Sequence, residues 1–336
     1  MKVCLEDLQD FITQLQNAGV ENARRELTLL IAFIQNRSYT DVFFDSALSV
    51  EVDDRLLPLV YRRCQGEPLS KIIGQREFWS LPFKVTTDTL DPRPDSETII
   101  QAVLHHFPDR HKALNLVDFG TGTGCLLLSA LSEYPNSAGI GVDISDAALA
   151  VAQENAQRLG LSQRASFVHS NWAEGVDGEF DVLISNPPYI GLSEPLEAAV
   201  KEYDPPQALY GGEDGLEAYR ILLPQLRHLM HSPIPILDDS SSSRGAVGDA
   251  VIQENTWMAT HAIALRASAA RHDEKSCEVI GKGYSLAFIE IGHGQGESVR
   301  SIGEEAGLIC ISTYPDLAGI ERVAVFGKRN INKKLY

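Results

Sequence analysis

Apolar positions recur every three or four residues in the first part of the chain; most of the remainder alternates or forms short unbroken apolar runs. In "LEDLQDFITQLQNAG", Leu5, Leu8, Phe11, Ile12 and Leu15 share one helical face that stops at Gly19. "ARRELTLLIAFIQN" and "SVEVDDRLLPLVYRRCQG" repeat the spacing, so residues 1–75 are predicted to form a small helical bundle. The period changes in "QREFWSLPFKVTTD", where aromatic and β-branched residues flank Leu81-Pro82 and predict a short hairpin as connector, within a linker over 76–91.

From Pro92 the pattern becomes strand, loop, helix, repeated: "ALNLVDF", "CLLLSALSEY", "SAGIGVDIS", "DAALAVAQENAQRLG", "ASFVHS" and "FDVLISN". Such alternation predicts an α/β domain over 92–330 with a mostly parallel sheet covered on both faces. Right-handed crossovers put its ligand crevice at the carboxyl ends of the strands. Residues 233–283 break the rhythm with the Pro- and Ser-rich "PIPILDDSSSSRGAVGD". They read as an insertion, partly disordered around Ser240–Ser243, with a helix from about Val247 to Ala270. "YSLAFIEIG" then resumes as a strand and "ESVRSIGEEAG" as a helix. "LICISTYP" and "ERVAVFGK" close the chain as antiparallel neighbours.

Candidate chemistry sits at the ends of the predicted strands. "LVDFGTGTGC" sets Gly120, Gly122 and Gly124, with Thr121 and Thr123 between them, after a strand and before a helix. There glycine permits φ > 0 and close backbone approach, and the free N–H groups of the helix start face a ligand. A tight turn without ligand has the same appearance. Asp143 ends the next strand, where a carboxylate accepts both hydroxyls of a ribose or, alternatively, caps the following helix. Asn171-Trp172 ends the third, offering an amide and a flat ring to an adenine, although a lone Trp also serves as core.

These features suit NAD and S-adenosylmethionine alike, and the fourth strand separates them. It leads into Asn186-Pro187-Pro188-Tyr189, a stiff loop because proline fixes φ and removes a donor. The Asn186 side-chain oxygen and the Pro187 carbonyl can accept both N–H bonds of a planar NH₂ group, and Tyr189 can stack on its plane. Such acceptors stabilise charge developing on an otherwise poor nitrogen nucleophile and aim it at a methyl group. A nicotinamide finds no evident partner there.

Composition narrows the picture further. A net charge of −17 opposes a protein whose affinity comes from neutralising phosphates, so no direct nucleic-acid binding is expected. Five scattered cysteines with no C-x-x-C pair, and nine histidines without ligand spacing, suggest neither disulfide framework nor metal site. No apolar run is long enough to span a bilayer, and the acidic N-terminus is unlike a targeting peptide, so a cytoplasmic protein is expected.

In order along the chain, "REFWSLPF", "PRPDSE", "DFGTGTG", "GVDIS", "NPPYI", "YDPPQAL", "GGEDGLEAYR" and "EIGHGQGESVR" resemble the class I S-adenosylmethionine-dependent protein-(glutamine-N5) methyltransferases of the HemK/PrmC type, which modify peptide-chain release factors. The resemblance covers most of the chain outside 233–283. It implies a Rossmann-like, mostly parallel seven-stranded sheet with an N-terminal bundle that helps dock the protein substrate. It assigns Gly120 to Gly124 to the methionine part of S-adenosylmethionine, Asp143 to the ribose and Trp172 to the adenine. Asn186, Pro187, Pro188 and Tyr189 would hold the glutamine of the release factor's Gly-Gly-Gln loop. Sister enzymes that modify a ribosomal-protein glutamine differ where this chain reads "PRPDSE".

Three positions depart from that family. Asn171 stands where Asp is usual, which predicts weaker adenine binding. Asp91 replaces an aliphatic residue and is expected to loosen the linker. Residues 233–283 interrupt the approach to the fifth strand, harmlessly if they loop out. Two rival readings stay open: a nucleic-acid amino-methyltransferase, and a non-catalytic module that has lost its activity through the insertion. Glu290, at the end of the fifth strand, reads as structural or as a cofactor-side contact.

Overall fold

The computed structural model describes residues 2–3, 8–45, 50–51, 55–231 and 284–329. The first strands, β1 (Lys2–Val3) and β2 (Val50–Glu51), pair antiparallel. The N-terminal helices are α1 (Leu8–Asn17), α2 (Ala23–Gln35), α3 (Tyr39–Phe43), α4 (Leu56–Cys64) and α5 (Leu69–Ile73). The stripe of α1 buries Leu8, Phe11, Ile12 and Leu15 in one core with Leu27 and Leu30 of α2 and with Leu56 and Val60 of α4. Leu5, expected on the same face, lies outside the described residues. Asn36 ends α2 in the left-handed region, returning its N–H to the carbonyls of Ala32 and Phe33.

A hairpin follows, β3 (Gln75–Phe78) against β4 (Leu81–Lys84). Its turn residues, Trp79 and Ser80, have φ of 52° and 59°, a turn of the hand that hairpins favour but that side-chain-bearing residues adopt at a cost. Two hydrogen bonds offset that cost: the Trp79 N–H donates to Glu97 at 2.8 Å and its Nε1 to Glu133 at 2.7 Å. Glu97 of "PRPDSE" is thereby given a structural task.

The main sheet contains β5 (Asn115–Phe119), β6 (Ala138–Asp143), β7 (Ala165–His169), β8 (Val182–Ser185), β9 (Leu286–Glu290), β10 (Leu308–Pro315) and β11 (Glu321–Lys328). The order across it is β10-β11-β9-β8-β5-β6-β7. Only β11 runs antiparallel to its neighbours, which makes this the mostly parallel, Rossmann-like sheet of the α/β class. The covering helices are α6 (Glu97–His106), α7 (Cys125–Glu133), α8 (Asp146–Arg158), the short α9 (Ala198–Tyr203), α10 (Glu217–Leu229) and α11 (Gly296–Glu305).

Alternate residues of β8 and β9 enter opposite cores. Ile184 and Phe288 meet Ile99 of α6 and Leu127 of α7, whereas Leu183 and Ile289 meet Leu222 of α10 and Val299 of α11. Every residue of both strands is buried, which explains their unbroken apolar runs. The chain crosses from one half of the sheet to the other between β5 and β8, placing a crevice at their carboxyl ends.

The bundle and the sheet meet through a buried polar seam. Lys71 of α5 donates to the carbonyls of Thr86 and Thr89 and pairs with Asp204, which also receives Arg93 at 2.7 Å. Asp91, expected to loosen this linker, is buried in the seam, its Oδ1 without a hydrogen-bond partner among the described residues. It accepts from Ser70 at 2.8 Å and gives its own N–H to Asp204. Residues 233–283 and the expected helix within them lie outside the described residues, but the chain on either side is joined. The His231 N–H donates to Ser285 Oγ at 2.7 Å, and Leu286 pairs with Val182 at the start of β8. The interruption therefore leaves and returns at the amino ends of the strands, across the sheet from the crevice.

Candidate functional site

The loop after β5 is shaped by three glycines with φ of 71°, 55° and 78° at Gly120, Gly122 and Gly124. At Gly122 a Cβ would make only an ordinary contact, 4.0 Å from the Gly120 carbonyl, so conformation rather than room demands glycine there. At Gly124 it would stand 3.2 Å from both Ala152 and Leu128, so this residue also permits α7 and α8 to pack. The Gly120 and Thr121 N–H groups bond to the Val142 carbonyl at 2.8 and 2.9 Å, tying the loop to β6. Thr121 Oγ1 donates to Asp118 at 2.7 Å. Asp118 is fully buried, and burial pushes its carboxyl up to about 7.

Asn155, a residue the helical pattern of α8 does not single out, holds the loop from behind. Its Nδ2 donates to the carbonyls of Thr123 at 2.9 Å and Lys84 at 3.0 Å, while its Oδ1 accepts the Lys84 N–H. The amide thus joins the glycine loop to the hairpin.

Asp143 closes β6 with both oxygens engaged: Gly122 N–H donates to Oδ2 at 2.9 Å and Ser145 N–H to Oδ1 at 3.0 Å. The cap of α8 is not Asp143 but Ser145, whose Oγ accepts the Ala148 N–H. Each Asp143 oxygen retains a lone pair for a ligand hydroxyl. After β7, Trp172 has φ of 52°, a strained conformation for an aromatic residue. Its ring lies 4.0 Å from where a Cβ on Gly120 would stand. Asn171 donates to Glu174 at 2.9 Å, which the family's usual Asp cannot do.

These residues surround a cavity of about 310 Å³. Gly120, Gly122, Asp143, Asn171, Trp172 and Asn186 line it, and Pro188 closes one side. Thr121, Thr123 and Gly124 shape the loop without reaching the cavity wall, and neither Pro187 nor Tyr189 forms part of that wall. The opposite wall, Thr89, Leu90 and Gln207, was not anticipated. Gln207 belongs to "YDPPQAL", which had carried resemblance but no assigned role. Thr89 follows the hairpin, and its carbonyl accepts from Lys71, so the seam between bundle and sheet also shapes this wall.

The loop after β8 is braced from several sides. Asn186 Nδ2 donates to Ser96 Oγ at 3.0 Å, and the Tyr189 carbonyl accepts Gln295 Nε2 at 2.9 Å. A Cβ on Gly211 would collide with the Pro188 carbonyl, and one on Gly215 with that of Tyr189. Gly211 and Gly215 of "GGEDG" are therefore required by close backbone approach. Burial pushes the Tyr189 phenol up to about 12 and the Glu290 carboxyl up to about 7. Tyr189 accordingly keeps its proton at neutral pH.

Among the described residues no group of three or more His, Cys, Asp or Glu is placed to hold a metal ion, and no helix is long and apolar enough to cross a membrane. Residues 6–74 match the family model of the PrmC N-terminal domain, and residues 94–201 that of the methyltransferase small domain. The release factor glutamine methyltransferase of Rhodospirillum rubrum is 42% identical over 224 residues, 65% of this chain and 67% of the relative. That of Caulobacter vibrioides is 38% identical over 222 residues, 65% of this chain and 76% of the relative. That of Cereibacter sphaeroides is 32% identical over 320 residues, covering 94% of this chain and 95% of its own.

Proposed function

This chain belongs to the release factor glutamine methyltransferase family, and from that membership we propose that it methylates the side-chain amide nitrogen of the glutamine in the Gly-Gly-Gln loop of peptide-chain release factors, with S-adenosylmethionine as donor. The observation that carries the reading is that Asn186 lines the same cavity at the strand ends as Gly120, Asp143 and Trp172. That shared lining supports a donor site and an amide acceptor side by side.

The residues present fit the methyl donor: a carboxylate with free lone pairs, an aromatic face, and a loop whose glycines admit close backbone approach. When bound, S-adenosylmethionine supplies an electrophilic methyl group. Asp143 is assigned the ribose hydroxyls, Trp172 and Asn171 the adenine, and the loop from Gly120 to Gly124 the methionine part. With Asn186 Nδ2 committed to Ser96, its Oδ1 is the atom available to a substrate N–H. Pro187 and Tyr189 stand outside the cavity wall; their assignment to the second N–H and to the amide plane follows from the family membership and not from the cavity lining.

Two acceptors on one NH₂ favour the charge that develops on nitrogen and fix its direction of approach. The methylated amide then carries an extra proton so acidic that water takes it, and no side-chain base is assigned. The N-terminal bundle is assigned the docking of the protein substrate, and the cytoplasm, where release factors act, is the expected location.

Mass spectrometry of a purified release factor incubated with this protein and methyl-labelled S-adenosylmethionine tests the reading. One methyl on the Gly-Gly-Gln glutamine, absent with Asn186→Ala, is expected. Cofactor binding by calorimetry without any transfer to the release factor would overturn the substrate assignment.

A further inference from the structure

Part of the cavity wall comes from two strips far apart in the chain: Asp88, Thr89 and Leu90 after the hairpin, and Pro205, Gln207 and Ala208 of "YDPPQAL". Neither strip is a strand end, and one side chain holds both. Lys71 of α5 belongs to the helical bundle. Its Nζ lies 2.8 Å from the Thr86 carbonyl, 2.6 Å from the Thr89 carbonyl and 3.1 Å from Asp204 Oδ1. An ammonium carries three N–H groups and no acceptor, so these three oxygens match it in number. The adjacent Ser70 adds a further tie, donating to Asp91 Oδ2 at 2.8 Å. The Asp91 N–H in turn donates to Asp204 Oδ1 at 3.2 Å and links the two strips directly.

The second strip runs beside the loop that carries Asn186. The Ile190 N–H donates to the Leu209 carbonyl at 3.0 Å, and the Gly211 N–H to the Ile190 carbonyl at 2.9 Å. A displacement of Asp204 is therefore felt on the side of the cavity assigned to the substrate amide. Apolar contact is non-directional, and it would stabilise this boundary about as well as a buried ion pair does. What the charge adds is position: three segments must meet at one nitrogen.

We propose that Lys71 is a positioning residue for methyl transfer: reaching from the helical bundle, it fixes the two wall strips around residues 88–90 and 205–208 at the spacing the transfer requires. The inference rests on the reading of this cavity as the site of transfer. Lys71 does not line the cavity and acts only through Thr89 and Asp204. The bundle is then part of the catalytic unit, in addition to any docking of the protein substrate.

Lys71→Met keeps an unbranched side chain of similar length but removes all three donors. At saturating S-adenosylmethionine its kcat for release-factor methylation is expected to fall about tenfold or more, with KM for the release factor within about threefold of wild type. Leu30→Ala, a cavity in the bundle core remote from the strips, serves as the control for general damage to the bundle. Its kcat should stay within about twofold of wild type wherever the variant is folded. In Lys71→Met/Asp204→Ala no carboxylate is left stranded, so urea unfolding should show it to be more stable than Asp204→Ala, while kcat remains as low as in Lys71→Met. A readout free of cofactor and substrate is amide hydrogen exchange by mass spectrometry. Peptides covering 86–91 and 204–210 should exchange about tenfold faster in Lys71→Met than in wild type, and the glycine loop 120–124 within about twofold.

Wild-type kcat in Lys71→Met, an equal loss in Leu30→Ala, recovery of kcat along with stability in the double variant, or unchanged exchange in both strips would each overturn the inference. If Lys71→Met does not fold, the double variant takes its place in the kinetic and exchange measurements. A wild-type protein that methylates no release factor would overturn the proposed function instead, and the exchange measurement would still decide whether Lys71 holds the wall.

Discussion

Asp204 Oδ1 lies 3.1 Å from Lys71 Nζ, and the two side chains are only 4% and 2% exposed. Their pairing joins the helical bundle to the segment that walls the cavity at Pro205 and Gln207. A buried ion pair adds little over an apolar replacement of both partners, but removing one partner strands a charge. Asp204→Ala is therefore expected to cost about 3–5 kcal/mol in urea unfolding. Lys71→Met combined with Asp204→Ala should cost less than Asp204→Ala alone, with Arg93, already partly exposed, left to water.

Asn155 gives a second prediction. Replacing it by Ala leaves the Thr123 and Lys84 carbonyls and the Lys84 N–H without their partner. Stranded buried polar groups cost about 1–3 kcal/mol each when water cannot reach them, and partial access reduces the sum to about 2–4 kcal/mol. Because one of those bonds anchors the glycine loop, calorimetric affinity for S-adenosylmethionine should weaken together with stability. A variant that loses stability but keeps full affinity would separate the loop from the hairpin.

How these residues relate to the sequence pattern explains what could be foreseen. The stripe of α1 follows directly from spacing, since apolar period and burial coincide there, whereas β10 and β11 follow from their apolar runs and the short loop that joins them. The strand-end positions of Gly120, Asp143, Trp172 and Asn186 follow from the alternation of strands and helices, which brings successive strand ends to one edge. Lys71 and Asn155 look like solvated positions on amphipathic helices, because single-residue polarity does not reveal a buried partner far along the chain. Trp79-Ser80 lacks the Gly or Asn that marks a left-handed turn; its conformation is stabilised by Glu97 and Glu133.

Gly215→Ala tests whether the loop after β8 is shaped from behind. Gly215 has φ of 73°, and an added Cβ would press on the Tyr189 carbonyl and approach Gln295 Nε2 to 2.7 Å. The backbone conformation alone costs about 1–2 kcal/mol for a residue with a side chain. Displacement of Tyr189 should further lower kcat about tenfold or more, since small misplacements of acceptors are costly in rate. Cofactor affinity should change little, because Gly215 lies outside the cavity lining. Equal losses in kcat and cofactor affinity would contradict this division.

His106 supplies the prediction with a worked sign. Its Nε2 lies 3.2 Å from Ser312 Oγ and 3.0 Å from the Tyr314 hydroxyl, and its Nδ1 is buried without a hydrogen-bond partner among the described residues. Burial, aided by His105, lowers the imidazole from 6.5 to about 4. As pH falls through that interval the unfolded chain takes up the proton first, so protonation favours unfolding. The contribution is fully present above 6.5 and is lost as pH approaches 4, amounting to at most about 3 kcal/mol. Asp118 and Glu290, whose carboxyls are raised, act in the opposite direction, so the comparison must be between wild type and His106→Gln. Urea unfolding at a series of pH values should show the wild type losing stability relative to the variant between 6.5 and 4. A pH-independent difference would mean that the ring is charged, or solvated, in the folded protein.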